Sequence, residues 1–496
     1  MCGKTQMREL IFPVKHDGEV GLQAQLRRHL VDAILDGRLS PDAPLPSCRR
    51  LAQALGVSRN TVVLTYQALE DEGFLSSRER VGYFVNREML GERAAVSPPP
   101  AAAEASIELA DWRQRLYLHP SDQSNLSKPK NWRQYPYPFI YGQADPNMFP
   151  VAAWRMCSRQ ALSVEAIKRW TEDSFDEDDP LLVEEVRTRV LPRRGVRASA
   201  DEILITMGAQ NALYLIARLL AGPGSVIGVE NPGYVDARNI FTLTGARLKP
   251  IPVNDAGMVV DKSLARCDCV YVTPSHQSPT TVTMPMARRV ELLNLAARHN
   301  ITIIEDDYEA EANFVSSPTS ALKSMDQDRN VVYVGSFSKS LAPGLRIGYL
   351  VAAPAFIREA RMLRRLLLRH PPSNNQRTVA LFISGGYYDA LVNRLQRVYR
   401  SRWDAMGKAL DQYLPKSAHT PSFGGTSFWV RGPEDLDAKL LAAEALKQGV
   451  VLEPGELFFH GPKAPKNYFR LGFSSIKSEA IPEGIKRIAQ LVDAMA

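Results

Sequence analysis

The chain has 496 residues, 45% of them hydrophobic and 23% charged, with a formal net charge of +7. That length carries two or three domains with a large core, and the balance is that of a globular protein. The charge permits an anionic partner without demanding one. No basic start leads into an apolar stretch and no run is long enough to span a membrane, so a cytoplasmic protein is expected. The five cysteines (Cys2, Cys48, Cys157, Cys267 and Cys269) are scattered. Only Cys267 and Cys269 stand close, without zinc-ligand spacing, so reduced thiols and no metal site are expected.

In chain order, the first segment reads as a helix: Leu22, Leu26, Leu30 and Ile34 recur at steps of four, and Gly37 ends it. Ser47 can cap a short helix that stops at Gly56. Ser58 can cap a second, with Val62, Tyr66 and Leu69 inward and Gly73 as its stop. Two short helices around a glycine turn make a helix-turn-helix, with Arg59, Asn60 and Thr61 at the exposed start of the second helix. Residues 74–85 alternate around a turn and read as a two-stranded wing. A small helical bundle capping a larger domain is the alternative. Bulk charge does not decide, since residues 1–90 hold twelve Lys/Arg against eleven Asp/Glu. Locally, Arg49, Arg50 and Arg59 stand in a stretch without an acid.

Residues 88–136 read as a linker: Ser97 to Ala103 is stiff and coreless, and Ser121 to Lys130 is polar. Leu109 to Leu118 is a candidate short structured piece. From Phe139, apolar strands at 203–206, 225–229, 269–273, 301–305 and 331–334 alternate with helix patterns. That order implies a largely parallel, doubly wound sheet with ligands at the C-terminal strand ends.

Those ends carry chemistry. Val331 to Val334 reads as a buried strand that Gly335 ends, followed by Lys339 among Ser336, Ser338 and Ser340, with Arg346 beyond. Nearby positive charge lowers an amine's pKa, and a neutral amine can form a Schiff base with an aldehyde. Arg346 and Ser336 suit the phosphate of such an aldehyde. Pyridoxal 5'-phosphate is the cofactor implied, and it needs an acidic partner for its ring nitrogen. Glu305-Asp306-Asp307-Tyr308 supplies carboxylates and a phenol. Gly208, Ala209 and Gln210 open a helix whose free N–H groups can cradle a phosphate. Tyr234, after a tight turn, suits stacking on a flat ring. A surface loop with a chance Ser-x-Ser-Lys is the alternative for Lys339 taken alone.

Together these motifs resemble a fold-type I aminotransferase from about Tyr141 onward. Ser-Phe-Ser-Lys-x6-Arg-x-Gly-Tyr and Glu-Asp-Asp-Tyr resemble the MocR/GabR-type subfamily of GntR regulators. Leu-Pro-Ser-x-Arg-x-Leu-Ala-x-x-Leu-Gly-Val-Ser-Arg-x-Thr-Val resembles the GntR winged helix. The resemblance implies DNA contacts at Arg49, Ser58, Arg59, Asn60 and Thr61, and wing contacts at Arg80 and Gly82, with Arg80 standing where the first wing glycine is usual. It implies a Schiff base on Lys339, Asp306 as pyridinium partner and Arg470 as carboxylate-binding arginine. A strand-borne Arg470 can instead pair with a core acid. Ser278 and Thr281 stand where aminotransferases place Asn and Gly, and Met207 replaces a small hydroxyl. Arg361 to Arg369 reads as a helix with solvated charge and an apolar face.

The implied protein is multidomain. It has an N-terminal winged helix-turn-helix (1–87), a linker (88–136) and an α/β aminotransferase-like domain (137–496) with a small C-terminal α+β part from about 379. Its expected role is a regulator that binds repeated half-sites on double-stranded DNA as a domain-swapped homodimer. The expected signal is an amine or amino-acid-like metabolite that displaces Lys339 from the cofactor. The rivals are an active aminotransferase with an appended DNA-binding domain and a DNA-binding scaffold with a dead domain.

Overall fold

The computed structural model describes residues 20–90, 111–314, 319–415, 417–419 and 424–495. Cys2, the Ser97 to Ala103 run and Leu109 lie outside the described residues. The chain divides into one compact unit ending at Asp111 and another beginning at Trp112.

The first unit is a winged helix-turn-helix. Helix α1 (Leu22–Leu35) buries Leu26, Leu30, Ala33 and Ile34. Helix α2 (Cys48–Leu55) starts where Ser47 Oγ accepts from Arg50 N–H, and it ends at Gly56 in the left-handed region. Ser58 Oγ accepts from Thr61 N–H at 3.0 Å to start α3 (Arg59–Asp71), a cap worth about 1 kcal/mol. Val62, Thr65, Tyr66 and Leu69 are buried on α3, and the Tyr66 hydroxyl donates to Pro46 O. The wing is an antiparallel pair, β1 (Leu75–Arg78) and β2 (Gly82–Val85).

The second unit is built on an eight-stranded mixed sheet. In chain order its elements are β3 (Ile203–Thr206), α4 (Gly208–Leu220), β4 (Val226–Asn231), α5 (Val235–Thr242), β5 (Arg247–Asn254) and β6 (Gly257–Met258). Then come β7 (Cys269–Val272), α6 (Met286–His299), β8 (Thr302–Asp306), β9 (Val331–Ser336) and β10 (Gly348–Val351). The spatial order is β3-β10-β9-β8-β7-β4-β5-β6. Strands β9, β8, β7, β4 and β5 run parallel, whereas β10 is antiparallel to both β9 and β3, and β6 to β5. Every residue of β3, β7, β9 and β10 is buried, as expected of strands covered on both faces.

The sequence places a break at Gly335, but β9 runs on to Ser336. Gly335 lets the strand continue because the Tyr349 ring lies over it and would overlap a Cβ. The helix over Pro354–Leu368, α7, also differs from expectation. Arg364 is fully buried and pairs with Asp178, which Arg361 holds as well, so this basic run fastens a neighbouring strap of chain. Burial of the strap's carboxylate, not the helix pattern, decides where those charges point.

The C-terminal part adds α8 (Ser373–Ser384), the long α9 (Tyr387–Tyr413), a four-stranded sheet and α10 (Ile481–Met495). The sheet comprises β11 (Ala418–His419), β12 (Ser427–Arg431), β13 (Glu453–Pro454) and β14 (Tyr468–Gly472), in the order β11-β12-β14-β13.

Residues 123–136, read from sequence as free linker, are docked on this second unit. Gln123 donates to Asn239 O, Asn239 donates back to Ser124 O, and Leu126 packs on the cluster of Val235, Trp429 and Phe458. Trp132 is buried with Ile140 and Val451. Leu126, Trp132 and Tyr135, the apolar side chains of a polar stretch, pack it onto this unit. Among the described residues, no helix is long and apolar enough to cross a membrane.

Candidate functional site

The ends of β4, β7, β8 and β9 and the start of α4 converge on a cavity of about 410 Å³. Ala209, Gln210, Tyr234, Asp306, Tyr308, Ser336, Lys339, Arg346 and Arg470 all line it, as does Ser278. Gly208 lies behind Arg346: at φ +76° it takes a backbone that suits glycine, and a Cβ there would stand 3.2 Å from Arg346 Nη2.

Three consecutive carboxylates on β8 and its exit have three different environments. Glu305 accepts from the N–H groups of Leu322 and Lys323. Asp307 receives Arg194 Nε at 2.7 Å and the Tyr333 hydroxyl at 2.8 Å. Burial works against its charge, yet Arg194 and these donors hold the Asp307 carboxyl below its usual range. Asp306 faces the cavity. Its Oδ2 accepts from the Tyr271 hydroxyl at 2.8 Å, while Oδ1 is buried without a hydrogen-bond partner. Burial pushes Asp306 up to about 7, against the Tyr271 hydrogen bond. An acceptor of that kind is completed by an N–H donor in the cavity.

Lys339 lies beside it. Its Nζ stands 4.2 Å over the Tyr141 ring, and a Cβ at Gly142 would overlap it. Burial lowers the amine to about 8, with Glu309 opposing and Arg470 assisting. From sequence, nearby positive charge is the expected cause of this lowering. Burial leads instead, and the assisting cations are Arg470 and Lys128.

At the other end, Arg346 takes φ +52° and donates to Met207 O at 3.1 Å, beside the first turn of α4. Ser336 Oγ accepts from Ser338 N–H. Tyr234 and Gln210 both donate to Asp236 Oδ2, at 3.0 and 2.6 Å. The Tyr308 hydroxyl donates to His276 O, so it is engaged with backbone here. Thr281 adopts φ +62°, the conformation that the glycine usual at its position favours.

These residues fit pyridoxal 5'-phosphate: an orphaned acceptor for a ring N–H, a lowered amine, and a guanidinium at a helix start for a phosphate. Sequence reasoning missed Tyr141, Gly142, Asp236, Glu453 and Lys128 as cavity residues. Asp236 was findable two residues after Tyr234. Nothing local marks Glu453 or Lys128.

Arg470, on β14, does not stand free. Its Nε donates to Glu453 Oε2 at 2.7 Å, and the pair is buried. The core-acid partner left open from sequence is therefore present, while Arg470 still lines the cavity.

In the first unit, Arg49, Ser58, Arg59 and Asn60 are exposed along the α2–α3 face, and Thr61 is half-buried against the Ser58 cap. Arg80 and Gly82 sit at the wing tip with φ +63° and +127°, so an arginine holds a backbone position suited to glycine.

Residues 178–488 match the family described as aminotransferase class I and II, and residues 22–85 match the bacterial regulatory proteins of the gntR family. The HTH-type transcriptional regulator TauR of Rhodobacter capsulatus is 45% identical over 95% of this chain and 97% of its own. The chain is a MocR-type GntR regulator. This regulator is also 31% identical to the probable rhizopine catabolism regulatory protein MocR of Rhizobium meliloti, over 95% of this chain and 94% of that one. Among solved structures, Pyrococcus horikoshii kynurenine aminotransferase, in complex with PMP, superposes with a TM-score of 0.72 at 30% identity. That match covers 78% of the regulator and 98% of the archaeal enzyme, so the aminotransferase part is whole and the winged helix is additional.

Proposed function

We propose that this MocR-type regulator holds pyridoxal 5'-phosphate at Lys339 and uses the site to sense an amine that also bears an acid, altering DNA binding by its winged helix. The observation that carries the reading is Asp306 Oδ1, a buried acceptor without a partner, in the same cavity as the lowered amine of Lys339. When bound, the cofactor supplies an electrophilic carbonyl carbon to which amines add. Lys339, at about 8, offers a substantial neutral fraction near physiological pH. Asp306 would receive the ring N–H, Arg346 and the α4 start the phosphate, and Tyr234 the ring face. Arg470 would hold the effector's acid. A winged helix acting on repeated half-sites calls for a homodimer, and DNA as the target calls for the cytoplasm.

Active aminotransfer is the second reading, favoured by the same lowered amine, which an enzyme needs as much as a sensor does. Ser278 in the cavity weighs against it, because by resemblance an asparagine there would control the phenolate oxygen. The test is to mix cofactor-loaded protein with β-alanine, γ-aminobutyrate and α-amino acids, then add excess keto acid. A sensor gives a rapid visible-absorbance change with an amino acid, a matching change in DNA affinity, and no sustained product. Multiple turnovers over minutes overturn the sensor reading in favour of the enzyme.

A further inference from the structure

The cavity wall includes a stretch of the chain that leads toward the DNA-binding unit. Leu126, Ser127 and Lys128 line it, although their composition reads as linker. Leu126 anchors the stretch on the cluster containing Phe458. That same Phe458 ring has its centroid 4.6 Å from the Arg470 guanidinium carbon, and the Tyr141 ring centroid lies 4.0 Å from it. Arg470 is thus gripped by two rings, with its charge met by Glu453.

Lys128 differs in both respects. It is exposed at the rim and has no hydrogen bond or ion pair among the described residues. Partial burial lowers its amine from the ordinary range, with Glu453 opposing and Arg470 assisting, and its charge is felt in turn by Lys339. The cavity therefore holds one cation locked in a direct hydrogen-bonded ion pair and one, Lys128, that feels Glu453 only without direct contact. The cation without a direct partner is the freer one to meet an incoming anion, and a flexible ammonium at a rim can close onto it.

We propose that Lys128 is the specificity-determining cation for the effector's acid group, acting with the edge of Arg470 that Glu453 leaves free, so that occupancy ties the effector directly to the interdomain connector. The proposal rests on the sensing reading above. It predicts ligands whose acid lies away from the amine and reaches the rim. Unbranched ω-amino acids should bind better than α-amino acids, and amines lacking the acid should bind weakly.

The test titrates full-length, cofactor-loaded protein with β-alanine, γ-aminobutyrate, δ-aminovalerate, alanine and n-propylamine. Binding is followed by visible absorbance and by thermal midpoint. The expected result is that Lys128→Ala weakens at least one ω-amino acid by about tenfold or more, the scale of one charge-assisted hydrogen bond. Binding of n-propylamine should be unchanged, and Lys128→Arg should restore the amino acid. Cofactor retention should match the wild type. Equal affinities in wild type and Lys128→Ala overturn the proposal while leaving the sensing reading intact. Loss of cofactor from Lys128→Ala also overturns it, by assigning Lys128 to the cofactor. A wild type silent to every probe overturns it together with the sensing reading.

Discussion

Glu453 and Arg470 face each other directly across the antiparallel strands β13 and β14, with Arg470 Nε 2.7 Å from Glu453 Oε2. The arginine that family resemblance assigns to an effector's acid already holds an acid of its own. A ligand at this site must compete with Glu453 or use the remaining edge of the guanidinium. Glu453→Gln should therefore act in opposite directions on two measurements. Removing the charge leaves Arg470 buried and uncompensated, which should cost about 2 kcal/mol or more by denaturant unfolding. The released guanidinium should bind an acid-bearing amine more tightly by titration. Weaker acid binding in this variant would show that Glu453 positions Arg470 and does not compete for it.

The adjacent carboxylates Asp306 and Asp307 give a paired prediction. Asp306→Asn should lower cofactor retention and shift its absorbance, with little change in the unfolding midpoint of cofactor-free protein. Asp307→Asn should do the reverse. It weakens the buried partner of Arg194, an ion pair whose disruption costs on the order of 3–5 kcal/mol. Equal effects on retention would remove the distinction between them.

Lys339 carries a pH prediction with a definite sign. Its amine falls from the ordinary 10.5 to about 8 because of burial. Between about 8 and 10.5 the unfolded chain keeps a proton that the folded chain lacks, so this group adds stability as pH rises through that window. Below it the burial cost is present in full. In cofactor-free protein, Lys339→Met should remove that part of the slope and stabilise the fold below about 8. In loaded protein, Lys339→Ala should abolish cofactor attachment that borohydride can fix, while DNA binding survives. Unfolding curves across pH, compared with the wild type, check the first statement, and reduction followed by peptide mapping checks the second.

Arg59 stands exposed at the first position of α3. Arg59→Ala should reduce operator affinity, and the salt dependence identifies the contact. A phosphate contact lowers affinity on all sequences and reduces the salt slope by about one. A base contact relaxes one operator position at a cost of roughly 1–3 kcal/mol. Unchanged operator binding would refute its place in the DNA-reading surface.

The local elements and their order are legible in the amino-acid sequence alone. Ser47 and Ser58 as caps, Gly56 as a left-handed stop and the buried strand runs all follow from interactions within a few residues, so they were legible in chain order. The motifs at the strand ends were legible for the same reason: each places its polar residues next to an apolar run that has nowhere to go but the core. The wing is legible too, in the alternation of residues 74–85 around a turn, though only the structure shows Arg80 at positive φ. Tertiary structure decided which carboxylate of Glu305, Asp306 and Asp307 faces the cavity, because that depends on Arg194, Leu322 and Lys323 arriving from distant parts of the chain. It also decided that Arg470 is paired and that Lys128 reaches the rim. Glu453 and Arg470 meet only because β13 and β14 align in register, and Lys128 overhangs the cavity because Leu126 finds a cluster more than a hundred residues away in sequence. Contacts of that range leave no periodic trace in a linear chain, since neither Glu453 nor Lys128 carries a local sign of the partner it meets.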